Sequence, residues 1–282
     1  LVNKKKYILT IYEKRVDKKD LPFFCSLTTE LFKKKFKCPL PIKNNKNEMI
    51  SDYHNKKLTI LSFIDGVSKK YLSENDSYKV GLETSKLHVL TNNIDLYRKN
   101  SLSIDSWVNI YNEIKLGNKN KDDAKLKFIE DSLSQIKQNW PRNLPTGIIH
   151  GDIFIDNIIF QDENINGIID YTFACNDFFA FDIAICLNAL CFDQVGDEYN
   201  FNILNARNFL KGYIKNRSLE ENEKQNMVVL CQGAALRFLL TRLIDSINQN
   251  NLAFVKIKDP TEYIKKLEYF NNDKNLVSKL FE

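Results

Sequence analysis

The first structured signal in the chain is a run rich in β-branched and aromatic residues at 7–12, which predicts a strand. Leu21-Pro22 then opens a helical stretch through about Lys35. Residues 38–42, with Pro39 and Pro41, read as an extended connection, because proline biases its own and the preceding backbone away from the helix. A second strand-like run covers 58–64 and is closed by the turn pair Asp65-Gly66. Together these elements predict a small mixed lobe over 1–65. Beyond it the spacing becomes mainly helical. A helix is expected over 78–91, ending in Leu87-His88. Another covers 122–138, where Leu126, Ile129, Leu133 and Ile136 fall on one stripe and Asp122 and Asp123 suit a helix N-terminus. Residues 148–170 switch to short β segments with a turn at Asp162-Glu163-Asn164, and 178–192 and 225–248 are apolar enough for buried helices. The pattern is α+β: a small mixed lobe, a hinge, and a larger, mainly helical lobe over 66–282 that carries a central β-hairpin. That arrangement predicts a bilobal architecture.

Composition narrows the class without changing that outline. With 282 residues, 43% hydrophobic and 27% charged, the chain is long enough to bury a large core. No run reaches the roughly 18 uninterrupted apolar residues of a membrane span, and the stretch 178–192 is broken by Asp182 and Asn188. Neither end reads as a signal peptide, so a soluble, cytoplasmic protein with no membrane partner is expected. Six cysteines show no C-x-x-C pair and no zinc-like spacing to histidine, which predicts reduced, mostly buried thiols. Net charge is +5, with 17 basic and 7 acidic side chains in residues 1–70. Clusters such as Lys33-Lys34-Lys35 read as the wet face of a helix, and no nucleic-acid-binding module accompanies them. The chain begins at Leu1 and runs almost at once into a strand, as expected of a fragment that lacks its own N-terminus.

The most informative stretch is Ile148-Ile149-His150-Gly151-Asp152, followed by Asn157, with Gly167-Ile168-Ile169-Asp170 after a short hairpin. Phosphoryl transfer from ATP needs hard oxygen ligands for Mg2+ and one carboxylate to orient and deprotonate the attacking hydroxyl. An Asp, an Asn five residues later and a second Asp after a hairpin supply that set. Asp152 would be the base, and Asn157 and Asp170 would hold the metal. Singly, each has a duller reading as a turn or cap residue. His150 suits a hydrogen-bonded structural role better than a catalytic one. Asp182, set among Phe178 to Ile185, would be expensive to bury unpaired and reads as an acceptor bracing the catalytic loop.

This constellation resembles the catalytic motif of the aminoglycoside phosphotransferase and choline kinase superfamily. The stretches around Tyr7 to Tyr12, Leu61 to Gly66, Phe173 to Cys175, Asn188 to Asp193 and Ala235 to Phe238 are similar to its homoserine kinase branch. The resemblance runs from the first residues to about Pro260. It implies ATP-dependent phosphorylation of the L-homoserine hydroxyl to O-phospho-L-homoserine, as used in threonine biosynthesis, with ATP and Mg2+ as cofactors. It also implies that the hinge backbone around Leu61, Phe63 and Ile64 meets the adenine. Two departures stand out. The glycine-containing hairpin that should precede the first strand is absent, and Thr10 stands where related kinases carry a phosphate-binding lysine. Lys14 and Arg15 lie nearby, and Glu30 is the natural ion-pair partner for any such lysine. A zwitterionic acceptor needs a donor for its carboxylate and an acceptor for its ammonium. Arg237, in an apolar helix, is the candidate for the carboxylate, although Thr241 and Asp245 share its face and would explain it internally. Asp177 and Asn188 are candidates for the ammonium or hydroxyl. A kinase for another small amino alcohol or an aminoglycoside, and a nucleotide-binding pseudokinase, remain alternatives.

Overall fold

The computed structural model describes residues 5–13, 16–117, 123–247, 258–273 and 275–281. Lys14, Arg15 and Asp122 lie outside the described residues. Strand β1 (Tyr7–Tyr12) is followed by helix α1 (Leu21–Lys33), which carries Pro22 in its first turn, where the missing N–H is not needed. Strands β2 (Pro41–Ile42), β3 (Ser51–Tyr53) and β4 (Lys56–Ser62) complete a four-stranded sheet with β4 at its centre. β1 runs antiparallel to β4, with Tyr7 opposite Ser62 and Tyr12 opposite Lys57. The segment expected to be a plain connection holds β2 because Pro41 and Ile42 pair with Leu61 and Ile60. Proline is tolerated on a short edge strand such as this.

Helix α2 (Glu74–Thr91) begins four residues before the apolar spacing suggests. A capping box sets the start: the Asp76 N–H donates to Ser73 Oγ at 3.1 Å, and the Ser73 N–H donates to Asp76 Oδ2 at 3.0 Å. Helix α3 (Ile104–Gly117) buries Trp107, Tyr111 and Ile114, and α4 (Asp123–Asn139) buries Ile129, Leu133 and Ile136 of the expected stripe. Then come β5 (Thr146–Ile149), the hairpin β6 (Ile158–Gln161) and β7 (Asn164–Ile168), and β8 (Cys175–Phe178), which pairs antiparallel with β5. Helix α5 (Phe179–Leu190), the ribbon β9 (Phe192–Val195) and β10 (Glu198–Phe201), and helices α6 (Ile203–Tyr213), α7 (Glu221–Gln225), α8 (Met227–Ile247), α9 (Thr261–Asn272) and α10 (Leu276–Phe281) complete the chain.

By length and composition α8 would cross a bilayer, yet 72% of its most apolar window is buried inside the fold, where it packs on α3, α4, α5 and α9. It is the central core helix. A second apolar cluster joins Tyr12, Leu21, Phe24, Leu27 and Leu31 to Leu87, Ile148, Ile168 and Tyr171. The N-terminal elements therefore share their core with α2, with β7 and with β5, the strand that leads into residues 150–157. All six cysteines are buried and unbridged; burial pushes the Cys38 and Cys175 thiols up to about 12, so they pack as small apolar groups.

Candidate active site

Strand β5 delivers the chain into His150-Gly151-Asp152, and the β6–β7 hairpin returns it to Asp170. The two arms are tied together where they matter. The Ile169 N–H donates to Asn157 O at 2.9 Å, so the residue before β6 lies beside the residue before Asp170. Gly151 adopts φ +74°, and a Cβ there would lie 2.9 Å from Phe173 O, so only glycine makes this turn without strain. Asp170 itself sits at φ +62°, a left-handed conformation that Asp tolerates when its side chain bonds locally. Its Oδ1 accepts from Thr172 Oγ1 at 2.6 Å and from Thr172 N at 3.3 Å.

The loop is held from below by Asp182, which is fully buried in α5. Asp182 Oδ2 accepts from His150 N at 2.9 Å and from His88 Nε2 at 3.0 Å, and Oδ1 accepts from Gly151 N at 2.9 Å. Burial alone would raise the Asp182 pKa, but the His88 ring and the His150 ring and backbone outweigh it and hold the carboxyl below its ordinary value. The His150 ring lies between two backbone groups. Its Nε2–H donates to Ile169 O at 3.0 Å, and its Nδ1 accepts from Asp152 N at 3.2 Å, an arrangement that assigns the ring proton to Nε2.

Asp152 occupies the turn so formed. Asn157 Nδ2 donates to Asp152 O at 2.9 Å and lies 3.3 Å from Asp152 Oδ2, which leaves the Asn157 oxygen free of that contact. Burial raises the Asp152 pKa, opposed by the charge of Arg237 and by His150. Asp152, Asn157 and Asp170 all line one open cavity of about 2220 Å³. Arg237 lines it too. This side chain is 3% exposed, donates from Nη1 to Gly151 O at 2.6 Å, and has a buried Nε without a partner among the described residues.

The sequence profile of the phosphotransferase enzyme family matches residues 1–213. The homoserine kinase of Bartonella tribocorum is 42% identical over 275 residues, which is 96% of this chain and 84% of that protein. The homoserine kinase of Parvibaculum lavamentivorans is 40% identical, over 93% of this chain and 81% of that protein. The chain belongs to the homoserine kinase family of phosphotransferases. Among solved structures it resembles a choline kinase from Cryptosporidium parvum (TM-score 0.70, 16% identity, 99% of this chain and 85% of that one). It also resembles a microcompartment-associated aminopropanol kinase (TM-score 0.63, 13% identity, 99% and 89%). At those identities the likeness concerns the fold, and it is the α+β, aminoglycoside phosphotransferase-like fold read from the sequence.

Other residues singled out in the sequence sit differently within this family fold. Asn188 is fully buried, and its Nδ2 donates to Ala184 O at 2.9 Å and Cys231 O at 3.0 Å. One of those partners lies in α5 itself and the other across the α5–α8 interface, the amide oxygen is buried without a partner among the described residues, and the side chain is not on the cavity wall. Asp177 is likewise off the wall. It accepts from Asn100 Nδ2 at 2.6 Å and from Phe178 N at 2.7 Å, and burial raises its pKa; the residue that lines the cavity is its partner Asn100. Leu61, Phe63 and Ile64 do not line this cavity: Leu61 pairs with Ile8 and Pro41, and Ile64 packs over Gly167. Glu30 bonds Lys33 one turn on, at 2.6 Å, a surface pair within α1. Thr10 stands opposite Thr59 in the sheet.

Three residues to which the sequence reading gave no site role stand at the site. His88 braces Asp182. Arg98 joins Asp20 Oδ2 (2.7 Å) to Ala174 O (3.0 Å), tying the start of α1 to the turn after Asp170. Tyr12, whose hydroxyl shares a hydrogen bond with Thr59 Oγ1 at 3.1 Å, lines the cavity from β1. The one available signal was His88 itself, a polar residue directly after Leu87 on the buried side of a helix.

Proposed function

We propose that the chain transfers the γ-phosphoryl group of ATP to the side-chain hydroxyl of L-homoserine, giving ADP and O-phospho-L-homoserine. The observation that carries this reading is the convergence of Asp152, Asn157, Asp170 and Arg237 on one cavity, in a chain about 40% identical to homoserine kinases over most of its length. Asp152 would accept the hydroxyl proton as the oxygen attacks the γ-phosphorus and the bond to the β-phosphate oxygen breaks. Its burial raises its affinity for that proton. The Arg237 guanidinium, near Asp152 and with Nε unpaired, suits the carboxylate of an amino-acid acceptor. Residues 1–65 would cover the nucleotide, with the backbone at Leu61, Phe63 and Ile64 facing the adenine, and residues 66–282 would carry the chemistry and the acceptor.

Mg2+ fits the oxygens available. Asn157 turns its amide nitrogen to Asp152 and keeps its oxygen for a ligand, and the Asp170 carboxylate is exposed with Oδ1 engaged by Thr172. Mg2+ takes only one or two protein oxygens and completes its shell with phosphates and water. When bound, the ion would neutralise charge developing on the transferring phosphate.

Coupled measurement of ADP release tests this reading with Mg2+ and, in turn, homoserine, serine, 3-amino-1-propanol, choline and an aminoglycoside, beside an Asp152→Ala control. Homoserine-dependent turnover that disappears in the control is expected. Turnover restricted to an alcohol without a carboxylate would overturn the substrate and the role given to Arg237, and would favour an amino-alcohol kinase.

A further inference from the structure

Helices α2 and α6 cross backbone to backbone. A Cβ built on Gly81 would run into Phe209 O, and one built on Gly212 would run into Tyr78 O, so neither position accommodates a side chain. This close crossing carries Tyr213, the last residue of α6, into the core beside His88. Both are fully buried, and the Tyr213 hydroxyl lies 2.8 Å from His88 Nδ1.

The donor and acceptor roles along this line follow from chemistry. The ionised Asp182 carboxylate only accepts, and it already receives the His150 and Gly151 backbone N–H groups. The His88 Nε2 facing it at 3.0 Å must therefore carry a proton. Burial lowers the His88 pKa against the opposing pull of Asp182, which favours the neutral ring, so Nδ1 accepts and the Tyr213 hydroxyl donates. Burial also raises the Tyr213 pKa, which keeps that hydroxyl protonated. Its oxygen in turn receives Arg217 Nη1 at 3.3 Å, and Arg217 Nη2 lies 2.9 and 3.0 Å from the two oxygens of the buried Glu223. A continuous series of hydrogen bonds thus runs from Glu223 at α7, through Arg217, Tyr213 and His88, to Asp182 and the two N–H groups that shape the loop before Asp152.

We propose that Tyr213, held by Arg217 and Glu223, is a positioning residue for phosphoryl transfer: by donating to Nδ1 it holds the His88 ring whose Nε2–H orients Asp182, and thereby the loop that presents Asp152. The proposal rests on the reading of Asp152 as the base. Its distinguishing feature is that the Tyr213 hydroxyl, rather than its ring, does the positioning. The ring stacks on Phe209 and packs against His88 whether or not the oxygen is present.

Tyr213→Phe removes only that oxygen. The chain has three histidines, so a spectrum of protein labelled with 15N at histidine resolves His88 from the exposed His54 and from His150. In the wild type His88 is expected as the neutral Nε2–H form. In Tyr213→Phe the Nδ1 resonance should move away from its hydrogen-bonded position while Nε2 keeps its proton, and kcat should fall about tenfold as the ring loses its hold on Asp182. The KM values for ATP and acceptor should stay put, while the melting temperature falls by the few degrees that one unpaired buried acceptor costs. Arg217→Met, which leaves the tyrosine in place, should lower kcat less. A wild-type His88 in the Nδ1–H form, or an unchanged His88 signal and kcat in Tyr213→Phe, would overturn the proposal. So would parallel losses in kcat, both KM values and melting temperature, the mark of general loosening. The nitrogen spectrum needs no substrate, so a wild type inert towards homoserine with the expected spectrum would count against the substrate reading and not against the tautomer.

Discussion

Replacing Asp182 with Asn keeps the shape of the side chain and removes one capacity: the second oxygen. Three donors converge on Asp182, the N–H groups of His150 and Gly151 at 2.9 Å each and His88 Nε2 at 3.0 Å. The single amide oxygen of the Asp182→Asn side chain can serve those on one side only, so its NH2 must face at least one donor. A buried donor left unpaired costs about 1–3 kcal/mol, and the bonds lost are charge-assisted, so roughly 3 kcal/mol of stability should disappear. That is a large part of the roughly 5–15 kcal/mol that holds a domain folded, and corresponds to a melting temperature lower by about 6–12 °C. The effect should depend on pH in one direction. The Asp182 carboxyl titrates below its ordinary value in the folded protein, so its contribution is present above the unfolded pKa and is lost as pH falls through the folded one. The difference between Asp182→Asn and wild type should therefore be flat around neutrality and shrink only in acid. Thermal unfolding followed by circular dichroism across pH, with kcat measured on the same samples, checks both. A variant melting within about 2 °C of wild type at pH 7 with unaltered kcat would mean that Asp182 does not hold the loop, and the reasoning would fail.

Three further outcomes follow from the structure. Asp152→Asn should abolish turnover while raising the melting temperature at pH 7. The buried carboxyl has a raised pKa when folded, so its contribution is full below the unfolded value and lost as pH rises through the folded one; an amide avoids that loss, and the advantage should vanish in acid. For the same reason the acid limb of kcat in the wild type should lie above the range of an ordinary aspartate. Gly212→Ala forces α6 away from the Tyr78 carbonyl and should lower stability by about 1–3 kcal/mol in urea unfolding, with kcat falling as Tyr213 is displaced from His88; unchanged unfolding would show that the crossing tolerates a methyl group.

Much of this protein is written locally. The strand at Tyr7–Tyr12, the stripe of α4 and the β6–β7 hairpin depend on neighbours within a few residues, and Asp152, Asn157 and Asp170, close in the chain, line one cavity. Where the signal was polar and not apolar, as in the Ser73–Asp76 capping box, the periodicity misplaced the start of α2. Asn188 shows the next limit. Its sequence context says that it is buried, but only the packing of α5 on α8 decides that its amide spans to Cys231 and turns away from the cavity. His88 and Tyr213 show the last one, because 94 residues separate His88 from Asp182 and 125 separate it from Tyr213. Sequence determines which polar groups will be buried and must therefore be paired. Which partner each one finds is decided by where helices cross, and here that is set by two glycines that let α2 and α6 touch.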